Sequence, residues 1–178
     1  MSVLVVLESN GSSLKRTSYE TIQAARSIAN GVPVIGVTVN VPNDQIESAG
    51  HYGLEQCFTV SGNTGTAFAA AAIAEVAQAT GATTVLFAAN AFGKAVAPRT
   101  AVRLQAGLLA DCVALHGSAS SLSATRPVFS GKALMQASVT TPIAVATLRP
   151  NVFTAKTGDG ASVAISVFSP AEASSVRT

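Results

Sequence analysis

Residues Ala88 to Leu115 read AANAFGKAVAPRTAVRLQAGLLADCVAL. The segment starts on the end of an apolar run, passes a tight glycine turn at Gly93 and opens a helix, with no catalytic motif inside it. It reads as a positioning device. On this reading Pro98 falls in the first helical turn, where its missing N–H has no helical partner to lose. Arg99 and Arg103 are four residues apart and project from one helical face, and Gly107, one turn further on, lets another backbone approach.

Working upstream, Ser2 to Leu7 is a short apolar run closed by the polar turn Glu8-Ser9-Asn10-Gly11, which predicts a buried first strand. After Thr17, Ile22, Ala25, Ile28 and Ala29 recur at helical spacing, and Asn30-Gly31 supplies the stop. Val32 to Val39 then reads as a second strand, Asn43-Asp44 as the cap of a short helix ending near Gly50, and Gln56 to Val60 as a third strand. An Ala-rich helix from Thr66 to Thr80 follows the cap region Asn63-Thr64, ends at Gly81, and leads into a strand from Thr83 to Ala89. Strands alternating with helices of this length imply right-handed crossovers and a mainly parallel sheet in a three-layer α/β fold.

Downstream of Asp111 the pattern changes. Apolar segments at Cys112 to Leu115, Pro127 to Phe129, Ala133 to Met135 and Ile143 to Thr147 are joined by links too short for helices. They are expected to pair as neighbours or to extend the sheet edge. Ser162 to Phe168 alternates with Val163, Ile165 and Val167 on one face, the period of a last, half-exposed strand. The expected organisation is one domain over residues 1–168 and a linker over 169–178.

Composition narrows the class. An apolar fraction of 48% with 11% charged residues excludes disorder, and 178 residues suit one substantial core. The formal charge of +2 is dispersed, so nucleic acid is not expected as a partner. No segment approaches the length of a membrane span, so no membrane insertion is expected. Cys57 and Cys112 lie outside any short metal or redox spacing and read as buried thiols in a reducing compartment, the cytoplasm or a mitochondrial matrix.

The candidate sites are weak as chemistry. AFGKAVAPR, Ala91 to Arg99, lies where helix N–H groups can bind an anion, but a Walker A loop fails at both ends, at Ala88 and at Ala95. The loop SGNTGT, Ser61 to Thr66, occupies a ligand-prone place after a strand without completing GxGxxG. Glu8 ends the first strand in a similar place and stands alone. His51 and His116 have no ligand at metal spacing, and Asp111, Cys112 and His116 form no recognisable nucleophile arrangement. No catalytic, cofactor-binding or metal-ligating residue is assigned. Arg99, Arg103 and Arg126 are the candidate partner-interface residues.

Several motifs fall in one order: SVLVVLE at Ser2 to Glu8, the segment Thr21 to Ala29, FGK at Phe92 to Lys94, PR at Pro98 and Arg99, AD at Ala110 and Asp111, and RPVFSGKALMQ at Arg126 to Gln136. In this the chain resembles the first domain of the electron transfer flavoprotein alpha subunit over nearly its whole length. Lys132 departs from the pattern, since many members carry Asn there in a YAGNA-like segment. The resemblance implies a nucleotide-hydrolase-like (Rossmann-like) fold with extra C-terminal strands. It also implies a heterodimer with the beta subunit that carries electrons from dehydrogenases to an acceptor through FAD. In the family the FAD is held by a second, downstream domain, which these residues are not expected to include, and AMP by the beta subunit. As a fragment the chain is thus expected to be a redox-inactive support rather than an enzyme. The alternative left open by the residues is a small adenine-nucleotide-binding module using the loops at Ser61 and Ala91.

Overall fold

In a computed structural model, residues 1–158 and 162–171 are described. Strand β1 (Ser2–Leu7) is buried along its whole length. Its Val3, Val5 and Leu7 face one apolar cluster and its Leu4 and Val6 the other, as a strand covered on both faces requires. It is followed by α1 (Arg16–Ala29), β2 (Val34–Val39), the short α2 (Asn43–Ile46), a 3-10 helix (Glu47–Tyr52) and β3 (Gln56–Val60). Then come α3 (Thr66–Ala79), β4 (Ala82–Ala88) and α4 (Ala91–Arg103). Asn30 ends α1 in the left-handed conformation, φ 47°, in the place where the Asn-Gly stop was expected. The short helix starts after Pro42, with no side-chain cap from Asn43 or Asp44.

Seven strands form one parallel sheet in the order β10-β3-β2-β1-β4-β9-β5, where β5 is Gly107–Cys112, β9 is Ala144–Leu148 and β10 is Ala164–Val167. Helices α3 and α4 cover one face, and α1 with the 3-10 helix covers the other. The α/β, mainly parallel, three-layer architecture expected from the alternation is therefore present. The last strand lies at the sheet edge beside β3; of the expected inward row Val163 is buried and Ile165 half-buried, whereas Val167 is exposed.

Three readings of the middle of the chain are corrected. Helix α4 begins at Ala91 because the Asn90 side chain caps it by accepting from the Gly93 N–H, 3.0 Å, so Pro98 falls in the helix interior rather than in its first turn. Lys94, whose carbonyl loses the Pro98 N–H, is on the exposed side where water can replace it. Gly107 is not on the helix but starts β5, a strand absent from the sequence reading. Its close contact is Val139: a Cβ at Gly107 would come within 2.8 Å of it. The four downstream apolar segments also divide. β6 (Ala114–Ser118), β7 (Ser121–Val128) and β8 (Ala133–Ser138) pair antiparallel in a separate three-stranded sheet, whereas β9 inserts inside the large sheet between β4 and β5. A parallel strand with both neighbours buried can be as short as β9, so its five residues do not betray a central position.

The small sheet packs on the α1 side through Leu122 and Ala124 of β7. The turn between β6 and β7 is pinned there: the Ala119 N–H donates to the Ile28 carbonyl, 2.9 Å, and the Thr84 hydroxyl donates to the Ala119 carbonyl, 2.8 Å. One free carbonyl at the α1 C-terminus is satisfied in this way. Of the expected linker 169–178, residues 172–178 lie outside the described residues.

Candidate functional site

In an open parallel sheet the ligand crevice lies at the carboxyl ends of the strands, where the order of strands reverses. Here the chain moves from β1 outward to β2 and β3, then returns to place β4 on the other side of β1, so the reversal falls between β1 and β4. Glu8 follows β1 and Asn90 follows β4. The Asn90 Nδ2 donates to Glu8 Oε1 at 2.7 Å, directly across that crevice. Lys15 Nζ donates to Glu8 Oε2, also at 2.7 Å. Glu8, which is 8% exposed, is therefore not alone, as its isolation in the sequence implied. Its own N–H donates to the Ser18 hydroxyl oxygen at 2.8 Å, and that hydroxyl donates to the Glu8 carbonyl at 3.1 Å.

This arrangement places a carboxylate in the crevice and ties nearby donors to internal bonds. In the first turn of α4 the Gly93 N–H is taken by the Asn90 side-chain oxygen and the Lys94 N–H by the Asn90 carbonyl. The nearest ammonium, Lys15, is on the Glu8 carboxylate. A cavity of about 460 Å³ adjoins the pair, between Glu8, Asn40, Pro42 and Phe92, and the charge at its mouth is a neutralised carboxylate rather than a free cation. The diphosphate of a flavin or adenine dinucleotide does not fit such a lining, because it needs converging N–H donors and no competing carboxylate.

The second ligand-prone loop, Ser61 to Thr66, is likewise closed on itself. Asn40, φ 55°, donates from Nδ2 to the Gly62 carbonyl at 3.1 Å and accepts from the Gly62 N–H at 2.9 Å. The Phe68 ring lies over Gly62 so closely that a Cβ there would come within 2.3 Å of it. Asn63 accepts from Gly65 N–H rather than capping α3. The loop is a turn built from polar residues, tied by Asn40 to the end of β2.

At the far end of the same carboxyl edge, Asp111 sits in the β5 bulge with φ 60°, and Arg149 follows β9. Arg149 Nε donates to Asp111 Oδ1 at 3.1 Å and Nη2 donates to Oδ2 at 2.5 Å, a bidentate pair. The Arg149 hydrogen bond, reinforced by the charges of Arg149, Lys94 and Arg126, holds the Asp111 carboxyl below the usual carboxylate range despite some burial. Two residues on, the Asn151 N–H donates to Glu20 Oε2 of α1 at 2.9 Å, so both carboxylates anchor the loop that leaves β9. Sequence reasoning missed Arg149 and Asn151. The available signal was a polar Arg-Pro-Asn run following a strand.

The structure disperses the remaining sequence candidates. Cys57 and Cys112 are fully buried free thiols, and burial pushes each up to about 12. Cys112 points its thiol at the Leu109 carbonyl, not at His116, whose ring bonds the Thr125 hydroxyl at 2.9 Å on the outer side of the small sheet. His51 is exposed on the 3-10 helix. Among the described residues no group of three His, Cys, Asp or Glu gathers at metal-binding range. Arg99 and Arg103 are exposed on α4, whereas Arg126 lies on β7 in the layer packed on the opposite face. The three are not brought to one surface.

Residues 3–173 match the electron transfer flavoprotein domain. The electron transfer flavoprotein subunit alpha of Bacillus subtilis (strain 168) is 30% identical over 154 residues, 84% of this chain and 47% of the relative. The electron transfer flavoprotein subunit alpha of Mycobacterium leprae (strain TN) is 27% identical over 174 residues, 96% of this chain and 54% of the relative. The chain thus spans about half the length of the curated relatives it matches. A family match across almost all of a three-layer parallel sheet makes this chain a member of the electron transfer flavoprotein domain family, with the sequence of an alpha-type N-terminal domain.

Proposed function

We propose that these residues form the support domain of a flavoprotein electron carrier's alpha chain, and that the carrier's flavin is held by residues outside them. The observation that carries the reading is the Glu8–Asn90 bond across the crevice, which occupies with a carboxylate the place where this type of sheet takes a phosphate. FAD supplies the electron-accepting chemistry in such a carrier, and no residue described here is assigned to it. The role of this domain is geometric: a rigid sheet fixes the orientation of partners around a redox group.

On the same reading the partner is a beta-type subunit, which binds AMP, and the complete heterodimer passes electrons from dehydrogenases to an acceptor. The exposed α4 face with Arg99, Val102 and Arg103 is proposed as part of the interface, since it joins an apolar side chain 79% exposed to two cations. The two buried, unpaired thiols support a reducing compartment such as the cytoplasm. Residues 169–178 are proposed as the link toward the flavin-holding part.

The test is absorbance of the purified 178-residue chain after incubation with FAD and gel filtration. The expected result is a colourless protein that nevertheless co-elutes with a beta-type subunit. Tight one-to-one flavin binding by this chain alone overturns the reading.

A further inference from the structure

The row of side chains that β7 turns toward the body of the molecule begins with Leu122 and Ala124, both buried, and by strand alternation continues with Arg126 and Val128. A guanidinium in an inward row is unusual. Its Nε is buried and has no hydrogen-bond partner, and no carboxylate lies within ion-pair distance of it among the described residues. The nearby carboxylate, Asp111, is already taken at both oxygens by Arg149. The buried Nε–H is an unpartnered donor, which is destabilising, while the side chain as a whole is only half-buried, so that its terminal nitrogens can meet a partner in the adjoining cavity.

A cavity of about 460 Å³ opens at this point, within the range of about 300–1,000 Å³ typical of small-ligand pockets. It is lined by Arg126, Arg149 and Asp111, two guanidiniums against one carboxylate, and by the β7–β8 turn. That turn carries Phe129, Ser130 and Gly131 in succession at positive φ, 50°, 56° and 84°, and leaves the Phe129 ring 79% exposed at the rim. Its backbone is otherwise closed, with the Gly131 N–H on the Val128 carbonyl and the Lys132 N–H on the Phe129 carbonyl. The pocket thus combines a half-buried guanidinium with no ion-pair partner among the described residues, an excess of positive charge and an uncovered aromatic face at the carboxyl edge of the sheet.

We infer that this pocket binds a small molecule bearing a single oxyanion, a phosphate or a carboxylate, with Arg126 as its principal donor and Phe129 as a wall for the group attached to it. With Arg149 held on Asp111, one guanidinium and one ring remain to meet a ligand, too few donors for a diphosphate, so the inference is independent of where the carrier's flavin is held.

The test is titration of the 178-residue chain with sodium phosphate, sodium acetate and phenyl phosphate at constant ionic strength, following the Arg126 Nε–H and Asp111 amide resonances. Phosphate or acetate is expected to shift both, and phenyl phosphate to bind more tightly than phosphate. Arg126→Met is expected to weaken phosphate binding at least about ten-fold, the loss of a charge-assisted bond. Without ligand the same variant is expected to melt about 2–4 °C higher, since an unmatched donor has been removed. Phe129→Ala is expected to abolish the advantage of phenyl phosphate while leaving phosphate unchanged. The inference is overturned if neither oxyanion shifts the resonances by 10 mM, or if chloride shifts them equally. It is also overturned if Arg126→Met binds phosphate like the parent.

Discussion

Glu8 and Asn90 are joined by a 2.7 Å hydrogen bond across the point where the strand order reverses, and the same Asn90 caps α4 through its other side-chain atom. One amide therefore ties the first strand to the helix that opens the motif at residue 91. The two ends of the amide do different work: the oxygen serves the helix N-terminus and the nitrogen serves the carboxylate. An Asn in this place explains why neither an anion loop nor a catalytic carboxylate develops there.

Replacing Asn90 separates these roles. Asn90→Ala removes the cap and is expected to cost about 1–2 kcal/mol, a fall in Tm of about 2–8 °C. Asn90→Asp keeps a capping oxygen but turns the donor toward Glu8 into an acceptor, so it is also expected to destabilise at neutral pH. Thermal unfolding by circular dichroism checks both, and an Asp variant as stable as the parent would show that the Glu8 bond contributes nothing.

Two glycines of the motifs are expected to differ sharply. A Cβ at Gly93 would come within 1.8 Å of the Ala88 carbonyl oxygen, backbone that cannot yield. Gly93→Ala should therefore reach or exceed the top of the roughly 1–3 kcal/mol range for overpacking. Gly131 has φ 84° and open space around it, so Gly131→Ala should cost only the left-handed backbone term, about 1–2 kcal/mol. Urea unfolding of the two variants side by side gives the ordering.

The Asp111–Arg149 pair makes a prediction in pH. Asp111 has its carboxyl lowered in the folded state, so its contribution is present above the unfolded value near pH 4 and is lost as pH falls through the folded value. Asp111→Asn tolerates the same positive φ but cannot pair with Arg149, and is expected to be less stable than the parent at pH 7. The difference should shrink steadily below about pH 4. Parallel melting curves from pH 7 to pH 2 that never converge would contradict the assignment.

Cys57 and Cys112 are expected to be silent toward a thiol reagent at pH 8. Burial keeps both protonated, with values pushed up to about 12, and neither is accessible. Native protein should react slowly or not at all with Ellman's reagent, and protein in guanidinium chloride should release two equivalents. Rapid native labelling of either Cys would contradict the described packing.

What the sequence by itself determined was local. The apolar run of β1, the helical spacing of Ile22, Ala25 and Ile28, the Asn30 stop and the parallel alternation through β4 follow from periodicity and termini, which depend on neighbours a few residues away. The burial of both thiols was legible on a different ground, since a free Cys outside any metal or redox spacing is usually a buried small apolar residue. What only the tertiary structure decided was adjacency: β9 inserted between β4 and β5, the small sheet assembled from three short segments, and Arg126 turned inward on β7. Strand-length apolar runs do not name their partners, since pairing is set by which edges remain free once the other layers are packed. The polar pairs of the site were illegible on the same ground. Glu8 and Asn90 are 82 residues apart and Asp111 and Arg149 are 38 apart, and no short-range pattern links residues that meet only when strands end side by side.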